Sequence, residues 1–218
     1  MPPARPLRRA ALALCVLAGL VWPGAAPSSP AAPAAPRPTA QAGPSLVGRF
    51  LVATEALRDP RFARTVVYVI RHDADGAMGL IVNRPVRDLP LAPLLQRFGL
   101  DDRGVTGSVR AHYGGPVERG QGFVLHTAEY ATQGTEMIAP DVALTAQAGV
   151  PGVLSDIAHG AGPRKSLFAL GYAGWAPDQL DAEIDQGSWI TVPADEALLF
   201  DEDHARKWER AAARRLTI

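Results

Sequence analysis

The first group of residues suited to chemistry is a histidine followed by carboxylates and, after a short apolar run, a polar pair. His72 precedes Asp73 and Asp75, and the run ends in Asn83 and Arg84. An imidazole exchanges protons near neutral pH, and a guanidinium binds a carboxylate or phosphate through two parallel hydrogen bonds. The carboxylates lack the later bidentate acid of a calcium loop. The alternative interpretation is structural: a polar hairpin turn after His72 and a second turn completed by Asn83.

The second group is a glycine-rich connection flanked by two histidines. Gly114, Gly115 and Pro116 lie between predicted strands that carry His112 and His126. If these strands pair with each other, the two imidazoles face one another across the sheet. Two histidines without a third ligand make a poor metal site, so structural hydrogen bonding is favoured. The adjacent glycines permit tight backbone geometry or the close approach of another chain.

The third group ends a predicted strand with two amphipathic rings. Tyr172 and Trp175 are separated by small residues, and Gln179 follows at the start of a predicted helix. Such rings line a pocket or anchor a partner; the alternative is that they cover the edge of the core. The candidate ligand- or partner-binding residues are therefore His72, Asn83, Arg84, Gly114, Gly115, Pro116, His126, Tyr172, Trp175 and Gln179.

The signatures of common enzymes and cofactor sites are absent from the sequence. It has no glycine loop followed by Lys-Ser/Thr, no glycine-flanked nucleophilic serine, no paired-histidine zinc helix and no dinucleotide fingerprint. The only cysteine, Cys15, precedes the predicted domain, which therefore has no thiol for disulfides, catalysis or zinc. We expect no catalytic set, no cofactor and no metal.

The N-terminal region has the layout of an export signal. Residues 1–26 combine a basic start, an apolar run at residues 10–22 and small residues, and residues 27–45 form a linker rich in Pro and Ala. The apolar run is shorter than the roughly twenty residues that span a bilayer. We expect an exported, periplasmic protein or one anchored by its leader; the alternative is a cytoplasmic protein with a mis-assigned start codon.

The domain predicted for residues 46–218 is mildly acidic. The preceding residues hold four of the 22 basic residues and none of the 22 acidic residues. A net charge of about −4 on the remainder gives no broad attraction for phosphate backbones. Nucleic acid is therefore disfavoured as a partner, and membrane contact is expected only through an uncleaved leader. The expected partner is a protein or a small molecule.

Apolar patterning behind the linker predicts alternating strands and helices. Strands are predicted at residues 50–53, 66–70, 78–82, 109–113, 123–127, 137–139, 142–144, 167–171, 189–192 and 197–200. A helix capped by Asp88 is predicted to bury a face formed by Leu91, Leu94, Leu95 and Phe98. Further helices are predicted at residues 150–157, after Pro177, and from about Glu202 with basic residues in its C-terminal half. Short connections favour an antiparallel or mixed sheet.

Several motifs occur in order across nearly the whole domain. They are Phe50-Leu51-Val52-Ala53, Asp59 with Phe62, Val66-Val67-Tyr68-Val69, Gly76-Ala77-Met78-Gly79, Val82-Asn83-Arg84-Pro85, Gly114-Gly115-Pro116-Val117, Leu125-His126, Leu170 to Trp175, Gln179-Leu180, Glu183-Ile184 and Trp189. Together they resemble the YqgE/AlgH family of bacterial proteins. The resemblance implies a single compact α+β domain with an antiparallel-rich, partly barrel-like mixed sheet and flanking helices. Two positions depart from the family pattern: Asp178, where glycine is expected, and Asp181, where glutamate is usual.

The family is largely uncharacterised, so the resemblance leaves the function to the residues. The leading hypothesis is a non-enzymatic binding or regulatory domain that engages a protein or small ligand through residues 72–85, 114–117 and 172–175. The alternative is an unrecognised hydrolase in which His72, His126 or Asp73 acts as acid or base and Arg84 holds an anionic substrate. A third hypothesis is transcriptional regulation, which the family's occasional label for alginate synthesis suggests.

Overall fold

The computed structural model describes residues 45–217, which contain ten strands and five α-helices. The strands are β1 (Arg49–Ala53), β2 (Val66–Asp73), β3 (Gly76–Ile81), β4 (Pro85–Pro90), β5 (Ser108–Tyr113), β6 (Val117–Thr127), β7 (Thr135–Ala139), β8 (Val142–Ala146), β9 (Ser166–Trp175) and β10 (Trp189–Pro193). The helices are α1 (Leu91–Arg97), α2 (Val150–Ala158), α3 (Gln179–Asp185), α4 (Glu196–Leu199) and α5 (His204–Ala213). The predicted leader, and all but the last residue of the predicted linker, lie outside the described residues. Among the described helices, none has the length and apolar character needed to cross a bilayer.

Strand pairing organises the fold around β9. The strand order is β10-β1-β2-β3-β9-β6-β8-β7, while β4 pairs with β5 and β5 lies parallel to β9. Residues 166–170 of β9 pair with β6, and its last three residues pair with β3. Gly171, with φ of +72°, separates these two halves. Because all the other pairs between described strands are antiparallel, the predicted α+β fold with an antiparallel-rich mixed sheet is confirmed.

Both faces of the central strands are buried, which accounts for their uninterrupted apolar runs. Along β1, Phe50 and Val52 join one hydrophobic cluster, whereas Leu51 and Ala53 join another. Successive side chains of a strand point to opposite faces, so a strand covered on both sides needs apolar residues at every position. A third cluster, around Val124 of β6, is covered by α1 and α2.

The strand predicted at residues 197–200 is wrong, because this segment contains α4. The helix begins after Asp195, whose carboxylate accepts a hydrogen bond from the Leu198 backbone N–H (2.7 Å). A side-chain cap of this kind satisfies a backbone donor that an α-helix leaves without a partner. A short apolar run does not by itself distinguish a strand from a buried helix.

The first helix also differs from its prediction. Asp88 lies on β4, a strand that the sequence did not predict, and pairs with Arg110 (2.9 Å). Pro90 occupies the N-cap of α1, so the helix has no side-chain cap. The helix ends at Arg97, and Phe98, predicted on its buried face, is 43% exposed.

The conformation of Asp178 explains why glycine is expected at this position. The residue precedes α3 with φ of +61° and ψ of −5°, in the left-handed region. Glycine reaches this region without the steric cost of a Cβ atom, and aspartate is one of the few other residues that tolerate it. The departure from the family pattern therefore preserves the turn into α3.

Candidate ligand-binding groove

His72 joins the start of the described chain to α3. Its Nδ1 accepts a hydrogen bond from the Leu46 backbone N–H (3.3 Å), and its Nε2 lies 3.3 Å from a carboxylate oxygen of Asp181. These roles require the tautomer protonated at Nε2, which then donates to the carboxylate. The second departure from the family pattern, Asp181, therefore partners an imidazole that connects two segments.

Asn83 and Arg84 hold the loop that precedes β2. The Asn83 side chain accepts from the Val66 backbone N–H and donates to the Arg64 carbonyl, both at 2.9 Å. The Arg84 guanidinium donates to the Ala63 carbonyl (2.7 Å). The side-chain amide thus completes a turn, as the structural interpretation of the sequence predicts.

Gly114 and Gly115 allow the connection between β5 and β6 to cross β9 at close range. A Cβ atom at Gly114 would lie 2.2 Å from the Gly171 carbonyl oxygen, and one at Gly115 would lie 2.0 Å from the Tyr172 carbonyl carbon. Both distances are far shorter than real contacts, so only glycine fits. Pro116 follows and lines a small cavity of about 260 Å³ beside Trp175.

His112 and His126 do not face each other, because β5 and β6 pair with β9 and not with one another. His126 is completely buried; its Nδ1 donates to the Thr127 carbonyl (3.1 Å), and its Nε2 accepts from the Thr145 hydroxyl (2.9 Å). Burial lowers the pKa of His126, because an apolar environment disfavours the charged ring. The imidazole is therefore a neutral, hydrogen-bonded core residue near neutral pH.

Trp175 and Gln179 converge on one carboxylate. Glu183 accepts hydrogen bonds from the indole N–H of Trp175 (3.0 Å), the indole N–H of Trp189 (2.7 Å) and the side-chain amide of Gln179 (2.8 Å). The Trp175 ring is only 7% exposed. This arrangement fixes α3 against the sheet and leaves the indole N–H groups occupied.

A bulge in β6 provides a feature that sequence patterning did not predict. Val117 pairs with Tyr172, but the next pair along the strand joins Gly122 to Leu170. Residues 118–121, here called the β6 bulge, therefore face a single residue of β9. Such insertions redirect side chains away from a sheet, and this one separates two cavities on the protein surface.

The cavity on one side of the β6 bulge has a volume of about 640 Å³ and is here called the arginine groove. Its lining residues come from β4, α1, the β6 bulge, α2 and β9, and they are Arg87, Leu89, Leu94, Arg97, Phe98, Arg119, Gly120, Gln121, Gly122, Gln147, Val150, Pro151, Phe168 and Leu170. The predicted site residues are not among them. The three arginines lie far apart in the sequence, and the fold places them in the lining of one cavity.

The cavity on the other side of the β6 bulge is of similar volume, about 620 Å³, but of mixed charge. Arg71, Glu118 and Glu136 line it together with Tyr172 and Trp175, so the predicted aromatic residues do border a cavity. Gln121 and Gln147 line both cavities. Within residues 45–217, no group of three or more His, Cys, Asp or Glu side chains has an arrangement that could hold a metal ion.

Comparison with known proteins identifies close sequence relatives. A family model described as DUF179, AlgH-like, matches residues 50–217. A UPF0301 protein of Caulobacter vibrioides is 48% identical over 174 residues, which cover 79% of this chain and 88% of that protein. A UPF0301 protein of Jannaschia sp. is 42% identical over 166 residues, which cover 76% of this chain and 86% of that protein.

Two solved structures are similar to this one. The solution structure of the AlgH protein from Pseudomonas aeruginosa has a TM-score of 0.66 and 40% sequence identity, covering 80% of this chain and 92% of that chain. The crystal structure of a protein from Corynebacterium diphtheriae has a TM-score of 0.61 at 20% identity, covering 80% of this chain and 89% of that chain. The second likeness concerns the fold alone.

Proposed function

The chain belongs to the AlgH-like family, and we propose that it is a non-enzymatic binding protein that holds a small molecule in the arginine groove. The observation that carries the proposal is the groove itself, a cavity of about 640 Å³ with an apolar floor and arginine side chains around it. Small-molecule sites typically occupy about 300–1,000 Å³ and combine a mostly apolar lining with a few polar groups. The arginine groove has both properties.

The lining of the arginine groove favours binding over catalysis. Among residues 45–217, the lining includes no carboxylate, imidazole, hydroxyl or thiol side chain. A general base or nucleophile must lie within hydrogen-bond reach of the reacting group, and the groove's own side chains offer only guanidinium groups and amides. The groove can therefore hold and orient a ligand, but it lacks the usual groups that attack one or exchange protons with it.

The hydrolase hypothesis requires His72, His126 or Asp73 to act as acid or base on an anionic substrate that Arg84 holds. The Arg84 guanidinium instead donates to the Ala63 carbonyl, and His126 is completely buried. The transcriptional-regulator hypothesis depends on the family label alone. Neither draws support from a specific contact, so binding in the arginine groove is preferred.

The proposal is tested by filling the groove with a side chain. A Cβ atom at Gly120 would meet nothing within 4 Å, so Gly120→Trp adds a large ring there with little strain. Met137→Trp is the matched control, because it adds the same ring at a 55% exposed position on β7 that does not line the groove.

Backbone amide chemical shifts are followed by NMR while a library of small apolar acids, alcohols and amines is titrated into each variant. We expect shifts concentrated in the β6 bulge and α1 for the unmodified protein and for Met137→Trp. In Gly120→Trp the affinity should fall by about tenfold or more, which corresponds to about 1.4 kcal/mol. Undiminished binding in Gly120→Trp, or shifts confined to other surfaces, would contradict the proposal.

A further inference from the structure

Three arginines from three different elements surround the arginine groove. Arg87 lies on β4, Arg97 is the last residue of α1, and Arg119 lies in the β6 bulge. All three residues are exposed, and no Asp or Glu of the described part of the chain lines the groove. The arginine ion pairs found within residues 45–217 all involve other arginines. Each guanidinium carries five N–H donors, so the groove holds many donors and positive charge without an acidic counterpart.

An arginine on the strand next to β4 does have acidic partners. Arg110, on β5 next to β4, pairs with Asp88 (2.9 Å) and with Glu202 (2.7 Å). Arg119 makes a cation–π contact with Tyr113, with its guanidinium carbon 5.9 Å from the ring centre, and no ion pair with a residue that the structure describes. The charge of the groove is therefore a local feature and not a general excess of arginine.

The floor between these arginines is apolar and partly open to water. Leu94, Phe98, Phe168 and Leu170 contribute to it, and Phe98 is 43% exposed. Removing apolar surface from water is favourable, and a guanidinium forms its strongest hydrogen bonds with an anionic acceptor. One ligand with an apolar body and an anionic end would satisfy both requirements.

The start of α2 adds to the preference for negative charge. Val150 and Pro151, in its first turn, line the groove, and this turn has neither a side-chain cap nor an acidic residue. The N-terminal end of a helix carries a partial positive charge. This end reinforces the potential that the arginines set.

We infer that the ligand of the arginine groove is a small organic acid, with one carboxylate bound by the arginines and an apolar tail on the leucine and phenylalanine floor. This inference rests on the proposed function and specifies its ligand class. Arginine binds carboxylates and phosphates equally well in geometry. A carboxylate is favoured because its single charge is easier to desolvate beside apolar side chains than the charge of a phosphate monoester.

The experiment compares four ligands that share one tail and differ in the head group. Octanoate, octan-1-ol, octylammonium and octyl phosphate are titrated separately into the full chain, and amide shifts give the affinity and the site. We expect octanoate to bind at the β6 bulge about tenfold or more tightly than octan-1-ol, and octylammonium to bind more weakly still. Raising the ionic strength should weaken only the anionic ligands.

Arginine variants then identify the groups that bind the carboxylate. Arg97→Gln and Arg119→Gln keep most of the side-chain length and remove the charge, and each should lower octanoate affinity by about three- to tenfold. The double variant should bind octanoate no better than octan-1-ol. Arg103→Gln is the matched control, because Arg103 is 88% exposed and lies outside the groove; its affinity should be unchanged.

Each contrary result has a separate meaning. If octan-1-ol binds as tightly as octanoate at the β6 bulge, the inference that the ligand is an anion is wrong, while the groove remains a binding site. Tighter binding of octyl phosphate than of octanoate overturns the carboxylate head group. If none of the four binds, the inference fails, and the library titration with Gly120→Trp decides the proposed function independently.

Discussion

Two groups of basic side chains in this chain differ in how far they are buried, and therefore in the role that each group has. The first, here called the buried basic cluster, consists of Lys207 and His204 on α5 and His112 on β5. Lys207 is completely buried, and the rings of His112 and His204 lie 4.8 Å apart between centroids. The second group is the set of exposed arginines that line the arginine groove.

In the buried basic cluster, Lys207 and His112 contact backbone carbonyls, whereas Nε2 of His204 lies 3.9 Å from the Glu202 carboxylate. Lys207 Nζ donates to the carbonyls of Val82 (3.1 Å) and Leu199 (2.8 Å). Burial lowers the pKa of Lys207 to about 8 and that of His112 to about 4, because an apolar setting disfavours the charged form of each side chain. Nε2 of His112 and both ring nitrogens of His204 are buried without a hydrogen-bond partner among residues 45–217.

The role of a cation without an acidic partner depends on whether it is buried. When it is buried, it must find carbonyl groups or become neutral, so it connects the elements that supply those groups. When it is exposed, water solvates it at little expense in stability, and it stays available for a ligand. The buried basic cluster therefore belongs to the architecture of α5, and the arginine groove belongs to binding.

The largest expected effect is that of removing the buried ammonium group. Lys207→Ala leaves the carbonyls of Val82 and Leu199 buried without their donor and opens a cavity, so the free energy of unfolding should fall by about 3 kcal/mol. Lys207→Met fills most of the volume and should lose less than half as much. Urea unfolding measures both changes. If the free energy of unfolding of Lys207→Ala fell by less than about 1 kcal/mol, Lys207 would not have the structural role proposed here.

The next effect is a loss of stability in mild acid. The pKa of His112 is lowered from 6.5 to about 4 by burial and by the neighbouring His204 and Lys207, so the unfolded chain binds more protons than the folded one between these values. Stability should therefore fall as pH drops from 6.5 to about 4, by about 2–3 kcal/mol. Burial lowers the pKa of His204 as well and adds in the same direction, while Glu202 opposes this.

Urea midpoints across this pH range test the sign and the source. His112→Gln retains a donor for the Phe168 carbonyl, which His112 Nδ1 contacts at 3.2 Å, but it does not titrate. The variant should show a shallower decline than the unmodified protein. If stability declined with pH as steeply in His112→Gln as in the unmodified protein, groups other than His112 would cause the acid sensitivity. The buried basic cluster would then differ less from the exposed arginines, whose charge is constant over this range.

Much of the fold follows from the sequence, and the missing parts have physical causes. The hairpin of β2 and β3 was predicted because Asp73 to Gly76 supplies a turn between apolar runs, and the structure has it. β4 was missed because it is polar and bounded by Pro85 and Pro90; its partner β5 supplies the pairing.

The candidate groove could not be predicted because its arginines come together only in three dimensions. Arg119 lies in the glycine-rich connection between two predicted strands, and its place in the groove depends on how β6 pairs with β9. The sequence places Lys207 with the basic residues of the last helix, whose charges suit the helix dipole, but its side chain is completely buried. A helical pattern fixes which residues share a face, whereas the neighbouring elements decide whether that face meets solvent.

A smaller effect is expected from the His204 ring, whose buried nitrogens form no hydrogen bond within the described residues and whose Nε2 lies 3.9 Å from the Glu202 carboxylate. His204→Phe retains an aromatic edge against His112 and removes two buried nitrogens without hydrogen bonds. It should raise the free energy of unfolding by about 1 kcal/mol at neutral pH, because unsatisfied buried polar groups are destabilising. His159→Phe, at an exposed position, is the control and should change stability by less than about 0.5 kcal/mol. Destabilisation by His204→Phe would mean that the imidazole has a partner, such as a bound water molecule.

The smallest effect should come from the arginine groove, and it bears most directly on function. Arg97→Gln and Arg119→Gln should each change the free energy of unfolding by less than about 0.5 kcal/mol, since neither arginine forms an ion pair with a described residue. Arg164→Gln breaks two hydrogen bonds to Glu196 (3.0 and 3.1 Å) and should lose up to about 1 kcal/mol. Thermal unfolding compares the three. If Arg97→Gln were the most destabilising of the three, the Arg97 guanidinium would stabilise the fold. It would then not be free to bind a ligand in the arginine groove.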